Sequence, residues 1–173
     1  MKAISAILLL ATLFSCNIGD PSEETPSIER EGEPTIYGVE QEDALMNKAI
    51  QQANETLSDF KKALESKNPD FYDFSLKMKF DTGSNDGYGA EHMWISDIEL
   101  INGEYVGFVA NTPEFTDEVQ FGERIQVDKK RISDWKYLDK NTLRGGYTIR
   151  VLRDQLTPEE QVEFDKEVGY VIE

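Results

Sequence analysis

The 173-residue chain carries 34 acidic against 18 basic side chains, a net charge of −16 at pH 7, with one cysteine and one histidine. One cysteine rules out an internal disulfide, one histidine rules out a histidine-rich metal centre, and the acidic balance argues against the clustered cationic face that nucleic-acid phosphates require. The length suits a single domain with its own core.

Lys2 supplies a basic start, residues 6–14 an apolar run, and Leu13-Phe14-Ser15-Cys16 reads as a lipoprotein box. The run falls short of the roughly 20 apolar residues a spanning helix needs, and no positive anchor follows it. The expectation is a signal peptide over residues 1–15, cleavage before Cys16, lipid on Cys16, and attachment to a membrane of the bacterial cell envelope through that anchor. Residues 17–40 then hold Asp20, Glu23, Glu24, Glu29, Glu31, Glu33 and Glu40 against Arg30 alone, interrupted by Pro21, Pro26 and Pro34. Like charge and low hydrophobicity read as a flexible linker over residues 16–40, spanning roughly 25 to 30 Å as a coil. Residues 41–173 are left as one domain.

Met46, Ile50, Ala53, Leu57, Phe60 and Leu64 recur at steps of three and four, the stripe of an amphipathic helix that Asn68-Pro69 stops. Phe74, Leu76, Met78 and Phe80 alternate with polar residues as in a half-buried strand. Residues 94–101 and 104–110 flank Asn102-Gly103, a dipeptide suited to a two-residue hairpin turn. Residues 124–127, 132–138 and 147–152 read as further short strands, with a turn near residues 139–141. Thr157, Pro158, Glu160 and Gly169 mark the start and end of a last helix. The expected fold class is α+β: a curled antiparallel sheet of five or six strands, packed by the long first helix and bordered by a short C-terminal one.

The segments Glu91-His92-Met93-Trp94-Ile95, Gly107-Phe108-Val109-Ala110-Asn111-Thr112-Pro113, Ile132-Ser133-Asp134-Trp135-Lys136-Tyr137 and Arg144-Gly145-Gly146-Tyr147-Thr148-Ile149-Arg150-Val151-Leu152 occur in this order. In them the chain resembles the YegJ-like domain-of-unknown-function family 2314 of bacteria, over about residues 44–169. The resemblance implies a small bacterial α+β domain, sometimes exported, and brings no catalytic residues with it.

Phe80-Asp81-Thr82-Gly83-Ser84 spells an aspartic-protease signature, but one copy cannot share a proton between two carboxylates, so a polar turn running on through residues 85–89 is the reading. Glu91 and His92 are adjacent and fall on opposite faces of a strand, which weakens them as a dyad. The acidic loop at residues 81–86 lacks EF-hand spacing. No metal and no cofactor is expected.

Nine basic residues, Arg124, Lys129, Lys130, Arg131, Lys136, Lys140, Arg144, Arg150 and Arg153, stand among four acidic ones within residues 122–153. They suit either an anionic partner or the chain's own acids. Asp134 beside Trp135 suits either a carboxylate that accepts a turn amide next to a core indole, or a recognition patch shared with Arg144 and Tyr147. The function expected is noncatalytic protein or peptide binding in the envelope. The candidate surface comprises Asp134, Trp135, Arg144, Tyr147, Asn111, Pro113, His92 and Trp94. The alternatives are an envelope hydrolase using Glu91, His92 or Asp134, and a toxin-neutralising lipoprotein of immunity type.

Overall fold

The computed structural model describes residues 27–30, 33–37, 44–83 and 89–173. Cys16, the leader and residues 84–88 of the polar turn lie outside the described residues. Within the segment expected as a linker, β1 (Ser27–Arg30) and β2 (Glu33–Tyr37) pair as a separate two-stranded antiparallel sheet. None of the described helices is long and apolar enough to cross a membrane.

The first stripe forms α1 (Ala44–Ser66). Its buried line is Met46, Ala49, Ala53, Phe60 and Ala63, while Ile50, Leu57 and Leu64 are half-buried at its flanks. Three alanines along that line let the helix lie close to the sheet, which is why the seam runs narrower than the pattern of large apolar residues implied. The helix ends where Lys67 takes a φ of 52°, and the carbonyl and side chain of Asn68 accept the amides of Phe71 and Asp70.

Six antiparallel strands follow: β3 (Phe71–Asp81), β4 (Ala90–Ile101), β5 (Glu104–Val109), β6 (Arg124–Gln126), β7 (Ile132–Asp139) and β8 (Thr142–Gly145). Their order across an open sheet is β6-β5-β4-β3-β7-β8. Register shifts between Tyr72 and Ser75, between Lys77 and Met78, and between Ser96 and Glu99 bend the strands and curl the sheet. The Asn102-Gly103 turn has φ of 53° and 85°, and Lys140-Asn141 closes a second hairpin at 47° and 70°, the positive pair that a tight two-residue connection requires.

Residues 147–152, expected as a strand, form instead the helix α2 (Tyr147–Asp154), and the pairing strand is the shorter β8. The Tyr-Thr-Ile-Arg-Val-Leu composition is strand-like, but Gly145 and Gly146 both turn left-handed, at φ of 71° and 62°, and lift the chain out of the sheet. Its first amides then meet a buried carboxylate, as described below, and this tertiary contact overrides the local preference. The C-terminal helix α3 (Pro158–Val168) has the expected capping box between Thr157 and Glu160, proline in its first turn, and Gly169 at φ 71° as its cap.

Strand alternation divides the interior into two layers. On one face, Leu76, Met78, Phe80, Met93, Ile95, Tyr105, Val109 and Trp135 pack beneath α1, where Phe60 meets Phe74 and Tyr105 edge-on and lies tilted on Trp135. On the other, a smaller cluster of Leu138, Leu143 and Ile149 packs with Trp94, Phe164, Tyr170 and Ile172. The C-terminal tail seals the β8 edge, as Leu143 N donates to Val171 O and Val171 N to Asn141 O.

A Cβ on Gly145 would stand 2.2 Å from the Trp135 carbonyl oxygen, on a backbone already at positive φ. Gly145→Ala should therefore lower unfolding stability by about 2 kcal/mol or more, measured as the denaturant midpoint. A midpoint within error of the parent would show that the β8–α2 corner does not need glycine.

Candidate functional site

Asp134 is fully buried on the second face of the sheet, opposite Lys77 of β3. Its carboxylate accepts four bonds: from Trp135 N at 2.8 Å, Tyr147 N at 3.2 Å, Thr148 N at 2.8 Å and Thr148 Oγ1 at 2.7 Å. Two of the donors are orphan amides at the start of α2, so a side chain from a neighbouring strand caps the helix that Gly146 cannot cap. Burial pushes the carboxyl up from its ordinary range, against the pull of Thr148, Lys77 and the Trp135 amide.

Trp135 fills the core on the other face, donating Nε1–H to Ala53 O at 3.0 Å and to Thr56 Oγ1 at 3.2 Å. Tyr147 stands edge-on to that indole and takes a bond from the Thr56 hydroxyl at 2.8 Å. The structure thus brings Asp134, Trp135 and Tyr147 together as the joint of β7, α1 and α2, and Asp134 opens into no groove. Arg144 lies apart, exposed, paired with Asp139 at 3.0 Å and with Glu173 at 3.7 Å.

Glu91 repeats the device on the first face. Buried to 6% exposure, it accepts the amides of Glu114 at 2.9 Å, Phe115 at 3.0 Å and Thr116 at 3.1 Å, which fastens the loop after β5. Pro113 is half-buried at the entry to that loop, and Asn111 accepts Trp94 N through its side-chain oxygen at 2.7 Å.

His92 turns to the second face, its Nδ1 2.8 Å from the Ser133 hydroxyl, which also reaches the Lys77 carbonyl at 3.4 Å. Burial, and then the Lys77 and Lys79 ammonium groups, hold the imidazole down at about 3. A ring so weakly basic is a poor proton acceptor at neutral pH, and Ser133 itself is buried, so the pair fastens β4 to β7.

Lys77 was not singled out by its sequence, in which it is one polar residue in an alternating strand. It packs over the Trp94 ring at 5.6 Å and reaches Thr148 Oγ1 at 3.4 Å. Burial pulls its ammonium down, opposed by the charge of Asp134. Lys136 approaches Trp94 at 5.8 Å and Tyr170 at 5.8 Å while bound to Asp73. Asp134, Thr148, Lys77, Trp94, His92 and Ser133 thus form one contiguous polar layer, legible only once β3, β4 and β7 are paired.

The basic segment is largely matched within the chain: Arg124 to Glu99, Lys129 to Glu104, Arg131 to Glu118, Lys136 to Asp73, Lys140 to Asp70 and Arg153 to Asp165. Arg150 donates to the carbonyls of Gly145 and Leu143. Among the described residues nothing packs on the second face beyond Trp94 across β5 and β6, where Phe108 is 39% exposed beside half-buried Val106, and Phe121 is 65% exposed past the end of β5. A shallow cleft of about 290 Å³ between α1 and the β4–β5 hairpin lies away from these residues, lined by Leu57, Lys61, Leu100, Tyr105 and Lys129. Among the described residues no three or more His, Cys, Asp or Glu side chains gather as metal ligands would.

A family model described as an uncharacterized protein conserved in bacteria, DUF2314, matches residues 43–171. The chain is 36% identical over 143 residues to a Neisseria meningitidis serogroup B protein named "Putative ankyrin repeat protein NMB1133/NMB1171", covering 80% of this chain and 56% of that protein. It is 31% identical over 104 residues to the uncharacterized protein YegJ of Escherichia coli strain K12, covering 60% of this chain and 64% of the other. The chain therefore spans between half and two thirds of the length of these curated relatives. No solved structure matches it.

Two substitutions test the polar layer. Asp134→Ala should cost about 3 kcal/mol or more, because it strands four donors, and Asp134→Asn less, because one acceptor oxygen remains while the NH2 faces the other donors; denaturant unfolding of both measures it, and an Asn variant as stable as the parent would contradict the capping role. For His92 the folded value of about 3 lies below the ordinary 6.5, so the unfolded chain takes the proton first. The stability this group contributes is full above pH 6.5 and is lost as pH falls towards 3. Between pH 6 and 4 the parent should lose up to about 1.4 kcal/mol per pH unit more than His92→Gln, read from paired denaturation series; parallel curves would show that His92 is protonated in the fold.

Proposed function

The chain belongs to the DUF2314 family of proteins conserved in bacteria, and from that premise we propose that it is a noncatalytic envelope module that binds a protein or peptide, moored through lipid on Cys16. The observation that carries the reading is the division of the second sheet face. Its β7–β8 side is packed by α2, α3 and the tail, whereas among the described residues its β4–β5–β6 side presents exposed Phe108 beside half-buried Val106 and Trp94. Exposed aromatic surface on a rigid sheet is the usual ground for macromolecular contact.

The groups with acid or base chemistry support the same reading by what they hold. Glu91 gathers three loop amides, Asp134 four donors, and His92 the Ser133 hydroxyl. A carboxylate saturated by internal donors is an anchor for the fold, and its removal costs stability before it costs any reaction. The leader supplies the address, since a short apolar run ending at Cys16 suits lipidation and a single acidic domain suits display on a tether.

A photo-crosslinking residue in place of Phe108, compared with one in place of Glu55 on the solvent side of α1, tests the binding surface in intact bacteria. A discrete adduct at position 108 and none at 55 is expected; equal patterns, or no adduct at 108, would remove the reading. In the same cells Cys16→Ser should move the protein from the membrane to the soluble fraction, and retention in the membrane would remove the lipid anchor.

A further inference from the structure

We infer that Lys77 and Lys79, flanked by Trp94, form the carboxylate-binding part of that open face, and that the partner is an extended peptide segment pairing an acidic side chain with an apolar one. The inference rests on the binding reading above and names its chemistry. Cross-strand register sets the cluster, with Lys77 opposite Trp94 and Lys79 opposite His92 in adjacent β3–β4 pairs. Such neighbours stand about 5 Å apart on one face.

The cluster holds more cation than acid. Among the described residues neither Lys77 nor Lys79 has a carboxylate at ion-pair distance, whereas seven cations of the basic segment, from Arg124 to Arg153, have one. The nearest acid to Lys77 is Asp134, and its oxygens are taken by Trp135, Tyr147 and Thr148. Asp73 is bound to Lys136. The charge of Asp134 offsets part of the cost of burying the Lys77 ammonium without an ion-pair contact, and Lys79 is exposed with no carboxylate partner among the described residues, so an incoming carboxylate meets open donors beside the Trp94 ring.

The geometry also sets the form of the ligand. The cluster lies on β3 and β4, and the exposed Phe108 lies on β5 in the row of Ser96, two residues along from the Lys77–Trp94 row, so Lys77 and Phe108 are separated by two strand spacings and two residues, about 12 Å. An extended chain rising about 3.3 Å per residue covers that distance in four residues, an even spacing that keeps both side chains on one side of the chain. An acidic residue and a large apolar one four positions apart would therefore meet the lysines and Phe108 together.

The test uses the full chain in detergent and Trp94 emission, with Trp135 buried in the core as a constant background. The probes are a blocked six-residue peptide with Glu and Leu four positions apart, its Gln counterpart, and inorganic phosphate. The Glu peptide should change the emission saturably, and both the Gln peptide and Lys79→Glu should weaken binding at least about tenfold. Lys77→Met should be less stable than the parent, because buried Asp134 then loses its nearest cation, and should lose binding to the same extent under conditions where its circular dichroism matches the parent. Equal binding of the Glu and Gln peptides, or unchanged binding in both lysine variants, would overturn the carboxylate assignment. Displacement by phosphate combined with no effect of Phe108→Ala would overturn the peptide assignment. Self-association blocked by Lys79→Glu would give the face to a second copy and overturn it too. If these probes fail while the position-108 adduct forms, only the carboxylate inference falls; if the adduct is also absent, the binding reading falls with it.

Discussion

The carboxylate of Asp134 is the point on which three elements depend. It leaves β7 on the second face of the sheet, while its neighbour Trp135 enters the first, so one dipeptide reaches both layers. Through Tyr147 and Thr148 it holds the start of α2, and through Trp135 and Thr56 the same corner holds α1. A buried anion is costly unless its lone pairs are filled, and here the donors fill them. Because the donors come from residues 13 and 14 positions later, the site cannot form before β8 has turned back, which couples the helix to completion of the sheet.

Glu91 shows that this is a repeated solution and not an accident of one residue. It lies under the loop 114–116 as Asp134 lies under α2, one carboxylate on each face of the sheet. Both carboxylates satisfy backbone amides that leave regular structure, where no ladder partner exists. In an acidic chain without an internal disulfide, acids that accept backbone donors take over part of the work of fixing loops. The surface follows a second rule, in which cations from residues 124–153 meet acids elsewhere in the chain. That pairing largely dissolves the apparent charge segregation of the sequence, and it makes Lys79 on β3, which has no ion pair among the described residues, stand out.

Local chemistry was legible in the sequence and long-range chemistry was not. Asn102-Gly103 named its own turn, since the required positive φ is a property of those two residues. Thr157, Pro158, Glu160 and Gly169 named both ends of α3 for the same reason. The strand-like residues 147–152 misled, because their helix is capped by Asp134, which no window around them contains. Of the candidate surface, Asp134 and Trp135 stood out as an adjacent acid and indole, but whether they faced a ligand or the interior depended on Thr148, Ala53 and Thr56. Lys77 gave no signal at all, because its place between Asp134 and Trp94 exists only across paired strands.

The same packing that hides Asp134 leaves the other half of its sheet face free. α2 is short and pinned at the β7–β8 corner, and α3 and the tail pack behind it on Ile149, Leu143 and Leu138. None of these elements extends over β5 or β6, where Phe108 remains exposed. Trp94 marks the boundary: its backbone is held by Asn111, and its ring is flanked by Lys77 and Lys136. A ligand arriving there meets side chains already fixed by strand pairing, so little conformational entropy remains to be lost on binding. Rigidity of the covered half is therefore what makes the open half usable as a surface.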